Sequence, residues 1–489
     1  MERRLVDGRT PRRALHIVAS IVAASTLTFA TIGAAPASAS SASPAPSAAD
    51  REPPPKWDKR VADLADFVER KRGLDFEHPV PVRFLTDSQF TKEFKTDESD
   101  LTAQDKKDLA QTAGLLRAVG LTQVDAKQLL EDFGEVDTAD TDAFYDQEKK
   151  EIVIRGKELD VSTKVTVVHE LTHAVQDQRF DLTKLDAHAG TSGAGALLAL
   201  VEGDAVRIEQ EYLATLSQRE QNEYNKALDT AIAESEATLP ADVPPVLGII
   251  DLAPYSVGPA FVEAIAIQNG EKAVDEAFRK PPTSDEQVLN PSSYLDGDIP
   301  ERVRTPKLGP GEKRTGRPDT FGALGLYLML AARLDPAVAL PTIHNWRGDK
   351  YVQFKRGDTE CVRAAFAGKE AQNTEQIAAA LDQWVAAGPS GPASVERTNG
   401  TATLTACDPG QEADGAKVMT AGDVLDARAY ALSGSMEDGT PVDNAECVAD
   451  RAGLDPDLRA FLLSADEPSQ DELDAFFGKI AGVERTCAA

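Results

Sequence analysis

The stretch VSTKVTVVHELTHAVQDQRFDL (161–182) constrains this chain more than any other. Val165, Val168, Leu171, Thr172 and Val175 recur at helical spacing, and Asp160 or Ser162 is placed to cap the first turn. His169 and His173 stand four residues apart on that helix, about 40° round the axis at 3.6 residues per turn, so both imidazoles project to one side. Two neutral imidazoles at this spacing can close on one zinc ion. Glu170 cannot point at the same spot, but its carboxylate can reach a water held in an open coordination position. Exposed histidines on a surface helix are the alternative. They would not need the apolar Val167, Val168 and Leu171 that flank this pair.

Zinc needs a third protein ligand. A metzincin pattern would put a Gly and then a His or Asp where Gln176 and Arg179 stand, so that pattern fails. Asp186 and His188, in a loop-like stretch, stay open as ligands. The better candidate is Glu202, in the expected helix over 192–216, where Leu198, Ala199 and Ala205 at helical spacing turn its carboxylate to the core. A buried unpaired carboxylate is costly, and a divalent cation offsets that cost, as would a core Arg. Asp204 can hold a ligand His in the required tautomer from behind.

The N-terminus adds a compartment. Arg3, Arg4, Arg9, Arg12 and Arg13 precede the apolar stretch 17–34, and Ala37-Ser38-Ala39 offers small residues to a signal peptidase. That order reads as a cleaved export signal over 1–39, an uncleaved anchor being the alternative, and it predicts a secreted protein. Residues 40–56 form a Ser/Ala/Pro-rich tether. The formal charge is −29; the leader carries five Arg, one Glu and one Asp, a net +3, so its removal leaves −32. Such a surface repels phosphate backbones and anionic headgroups, which argues against nucleic acid and, after cleavage, membrane as partners. The four cysteines, Cys361, Cys407, Cys447 and Cys487, lack metal-knuckle spacing and read as two disulfides. Of the three pairings, Cys361–Cys407 and Cys447–Cys487 each close a local module.

The rest of the chain reads as α+β, mostly helical. A helix from Trp57 ends at Gly73, VPVRFL (80–85) is a strand, 105–121 a helix, and AFYD (143–146) with EIVIRG (151–156) a hairpin. From Ser162 onward helix predominates. GALGLYLMLAARL (322–334) is apolar all round but too short for a membrane span, and so a core helix. A hairpin with a Thr-rich strand is expected within 388–410, and a small acidic helical module over 411–489.

HExxH followed by a Glu on the next long helix resembles the gluzincin branch of zinc metallopeptidases, the thermolysin-like arrangement. More closely, HELTHAVQDQRFDL with ALVEGDA resembles a group of exported bacterial gluzincin-like proteins. Matching signals run from RKRGLDFEHPVPVRFLT (70–86) to PPTSDEQVLNPSSYL (281–295) and NWRGDKYV (345–352), most of residues 57–385, and stop before the tail. The resemblance implies a zincin-like domain over 57–410 with a small N-terminal β-lobe. It implies one zinc on His169, His173 and Glu202, Glu170 as general base, and a peptide or protein substrate. EIVIRG would then be the edge strand along which an extended peptide pairs. Two departures stand out. The 28 residues between His173 and Glu202 exceed the thermolysin gap, and Asn290 stands where many of the group carry His. If that His stabilises the oxyanion, its absence favours the alternative reading, a non-catalytic zincin-fold binding protein. Tyr255 offers a phenolic donor instead, or serves as a core tyrosine.

Overall fold

The computed structural model describes residues 54, 56–94, 101–138, 142–238, 240, 242–389, 393–398, 400–464 and 468–488. The expected leader, and all of the expected tether but Pro54 and Lys56, lie outside these residues. The described chain is α+β and mostly helical.

Helix α1 (Ala62–Arg72) stops at Gly73, whose φ of 72° suits a residue without a Cβ. Strand β1 (Val82–Leu85) leads into helices α2 (Asp87–Phe94), α3 (Ala103–Ala118) and α4 (Ala126–Thr138). The hairpin β2 (Ala143–Asp146) and β3 (Glu151–Arg155) forms as the polar turn between its strands predicts. The sheet order, β1–β3–β2, overturns one expectation: β3 (EIVIR) is the central strand, parallel to β1 and antiparallel to β2, and offers no edge to a peptide. Its sequence explains this. Ile152 and Ile154 face α1 and the following helix while Val153 packs with Leu85, Phe90 and Phe144 on the other side, so the strand is apolar on both faces.

Helix α5 (Val161–Phe180) carries both histidines and starts where Asp160 accepts the Thr163 N–H at 2.8 Å. Val167, Val168, Leu171, Ala174 and Val175 pack it onto α1 and the sheet. Helix α6 (Leu182–Leu213) begins one residue later and runs ten residues earlier than expected, so the loop expected around 186–188 is helix. Helix α7 (Gln218–Thr238) precedes α8 (Pro245–Asn269), which is long and apolar enough to span a membrane by composition. Most of it is instead packed inside the protein, against α6 on one side. Gly203 of α6 and Gly258 of α8 meet at that crossing: a Cβ on Gly203 would lie 2.3 Å from the Gly258 carbonyl carbon, and one on Gly258 2.2 Å from the Ala199 oxygen. This approach, open only to glycine, brings α8 against the segment of α6 that holds Glu202.

Helices α9 (Glu271–Arg279), α10 (Asp285–Leu289) and α11 (Pro291–Leu295) follow. The next region departs from the helical expectation. Strand β4 (Glu312–Arg314), helices α12 (Gly322–Ala331), α13 (Pro336–Ala339) and α14 (Pro341–Asn345), strands β5 (Trp346–Arg356) and β6 (Thr359–Gly368), helix α15 (Ala371–Ala387) and strands β7 (Ser394–Thr398) and β8 (Thr401–Cys407) build a second sheet, β4–β5–β6–β8–β7, antiparallel throughout. β7 and β8 are the expected hairpin, and α12 is the expected buried helix.

Helices α16 (Gly415–Glu437), α17 (Val442–Leu454), α18 (Pro456–Leu463) and α19 (Gln470–Cys487) close the chain. Ala427, Ala431 and Leu432 of α16 share a core with Ala260 and Ala264 of α8. The cysteines pair as Cys361–Cys407, directly opposite each other on β6 and β8, and Cys447–Cys487, which ties α17 to α19.

Candidate metal centre

The two expected imidazoles and the expected carboxylate converge. His169 Nε2 lies 3.1 Å from Glu202 Oε2 and 2.9 Å from His173 Nε2, and His173 Nε2 lies 3.2 Å from the same Glu202 oxygen. Donors about 2.1 Å from a tetrahedral ion stand roughly 3.4 Å apart, so this triangle is close to one face of such a shell. All three residues are buried, Glu202 completely. Glu202 Oε1 has no hydrogen-bond partner, although a buried carboxylate oxygen is costly to leave bare. Two imidazoles, one carboxylate and a spare buried oxygen fit a divalent metal ion, and among the described residues this is the one such group.

The other sequence candidates separate. The side chains of Asp186 and His188 lie outside the described residues, but their backbone belongs to the same helix as Glu202. At 1.5 Å per residue they stand about 24 and 21 Å back along its axis, out of reach of an ion at Glu202. Asp204 is not hydrogen-bonded to either imidazole. It accepts from Gln176 Nε2 at 2.9 Å and Arg72 Nε at 2.7 Å, and Gln176 Oε1 in turn lies 3.0 Å from His173 Nδ1. Its support of His173 is relayed through an amide. Asn290 donates to Glu286 at 3.1 Å and accepts from Arg428 at 2.8 Å, so both ends of its side chain are committed to the junction of α10, α11 and α16. The Tyr255 ring stacks on the His169 ring with centroids 6.4 Å apart, which places it beside the centre.

Glu170, fully buried, is fixed from the sheet side. Its Oε2 accepts the Tyr145 N–H of β2 at 2.7 Å, while Oε1 has no partner. The Tyr145 hydroxyl donates to Asp177 at 2.7 Å, two turns further along α5, so one residue pins β2 to the helix at both ends. β2, not β3, is thus the sheet edge beside the metal helix, with its Tyr145 amide already engaged. Burial pushes the Glu170 carboxyl up to about 7 against the pull of both histidines.

Sequence reasoning missed Glu209. Its Oε2 lies 3.2 Å from His169 Nδ1, the arrangement in which a carboxylate fixes the tautomer and raises the basicity of a ligating imidazole. The signal was available: Glu209 follows Glu202 by seven residues, two helical turns, and so shares its face. Burial works against a proton on His169, yet Glu202 and Glu209 outweigh it and lift its pKa to about 10. A site that draws a proton so strongly also attracts a metal cation. Glu209→Gln keeps an acceptor for Nδ1 and removes the charge, so metal affinity should fall about 10- to 100-fold. Competition against a chromogenic chelator measures it; unchanged affinity would reduce Glu209 to filling space.

Comparison with known proteins gives no match to any protein-family profile, curated protein or solved structure.

Proposed function

We propose that this chain is a secreted zinc-dependent peptidase with a zincin-like domain of gluzincin type. The observation that carries the reading is one helix, α5, presenting His169 and His173 to Glu202 while the intervening Glu170 holds an unengaged oxygen beside them. His169, His173 and Glu202 would hold the ion, and Glu209 and Gln176 would orient the two imidazoles through Nδ1. A bound zinc supplies a Lewis acid for the scissile carbonyl and lowers the pKa of its water. Glu170 Oε1 takes a proton from the attacking water, with Oε2 anchored on Tyr145 N–H so that the free oxygen keeps its direction. The proton then passes from Oε1 to the leaving nitrogen as the C–N bond breaks. Water thereby supplies the new carboxyl oxygen and the proton of the released amine.

Two imidazoles with one carboxylate favour zinc over magnesium or calcium, which take oxygen ligands. The two disulfides are compatible with an exported chain. The alternative is a zincin-fold binding protein without turnover, and Asn290 favours it because its amide is occupied by Glu286 and Arg428. Metal analysis and hydrolysis of an unstructured protein separate the two. The peptidase reading expects about one zinc per chain and cleavage that a chelator abolishes and zinc restores. Zinc without cleavage would leave the binding protein.

A further inference from the structure

Four buried carboxylates each leave one oxygen without a hydrogen-bond partner: Glu170, Glu202 and Glu209 around the two histidines, and Asp251 on α8, one turn before the Tyr255 that stacks on His169. The proposed reaction employs three of them. Asp251 has no task in it.

Asp251 lies on α8 one turn before Tyr255, whose ring stacks on His169, so the two share a helix face toward the centre. It is 6% exposed, and its carboxyl is pushed up to about 7 by burial and then by the nearby charge of Glu202. Three other buried acids are paired. Asp204 is held by Arg72 and Gln176, and Asp349 and Asp285 each accept two backbone N–H groups at the start of α12. A carboxylate buried with an unpartnered oxygen lowers stability, so its presence beside a reactive centre points to a ligand that completes it. A cation with several N–H donors would complete it, and a peptide can bring one.

We propose that Asp251 forms a subsite for a primary ammonium of the substrate beside the scissile bond, either the α-amine of a chain N-terminus or a lysine side chain. This rests on the peptidase reading. Both sources offer three N–H donors and one positive charge, which suits the spare oxygen of Asp251.

The test uses the zinc-loaded full chain and three peptides of one sequence: a lysine-free peptide with a free N-terminus, its N-acetylated form, and an N-acetylated form with one internal lysine. Products are located by mass. The acetylated lysine-free peptide is expected to be cut about 100-fold more slowly than at least one of the others. Cleavage beside the free α-amine or beside lysine identifies the source. The isosteric Asp251→Asn should remove the discrimination while keeping one zinc per chain and a melting temperature no lower than wild type. Equal cleavage of all three peptides, or discrimination that survives Asp251→Asn, overturns the subsite and leaves the peptidase reading standing. So does a clear drop in melting temperature, which would mark Asp251 as structural. A zinc-loaded chain that cuts none of the peptides overturns both.

Discussion

Glu170→Gln is expected to lower peptide hydrolysis by about 10²- to 10⁴-fold while leaving about one zinc bound per chain. The substitution is nearly isosteric at a residue with no exposed surface, and its amide oxygen can still accept the Tyr145 N–H that now meets Oε2. The triangle of His169, His173 and Glu202 does not involve Glu170, so the metal should stay. What the variant loses is an oxygen that accepts a proton. Neutralising a carboxylate that burial already pushes up should not lower the melting temperature. Zinc content, melting and turnover on one preparation therefore separate a general base from a residue that only packs. Undiminished hydrolysis by a zinc-loaded Glu170→Gln chain would remove Glu170 from the chemistry.

Where sequence reading succeeded, local physics and tertiary structure agreed. Helix α5 was legible because its apolar face, its Asp160 cap and its two histidines follow one period, and burial of that face brought both imidazoles inward. Glu202 was legible because its neighbours at helical spacing are small or apolar, and the helix delivered it to the same point as the histidines. The second sheet was hidden. Strands β5 and β6 are buried on both faces for much of their length, so they lack the polar/apolar alternation that marks a half-buried strand. They pair through a turn at Gly357, whose φ is 65°, within a stretch that also contains charged residues. The central place of β3 was written in three consecutive apolar residues, Ile152 to Ile154, the mark of a strand covered on both sides. Long-range partners were not legible. Nothing local sets Gly258 against Gly203, the close approach that goes with Tyr255 of α8 lying beside His169.

Glu202→Ala is expected to reduce metal content from about one zinc per chain to near zero after dialysis, and hydrolysis with it. Two imidazoles on one helix leave an ion with fewer than the three protein ligands a catalytic zinc site uses. Loss of activity alone would not prove ligation, because Glu202 also contacts both histidines directly, and breaking a buried pair costs about 3–5 kcal/mol whatever the metal does. Melting in zinc and in excess chelator divides the two roles. If Glu202 is a ligand, wild type melts higher with zinc than with chelator, since an ion bound only by the folded state stabilises it by mass action. Glu202→Ala would then melt at one temperature in both. If Glu202 only pairs with the histidines, the variant would melt lower in both solutions by the same amount and keep its zinc. Glu202→Gln, which preserves volume and removes charge, guards against reading a cavity as a lost ligand. Zinc retained by both variants would remove Glu202 from the ligand set, and Asp186 and His188 could not replace it, since they stand more than 20 Å back along the same helix.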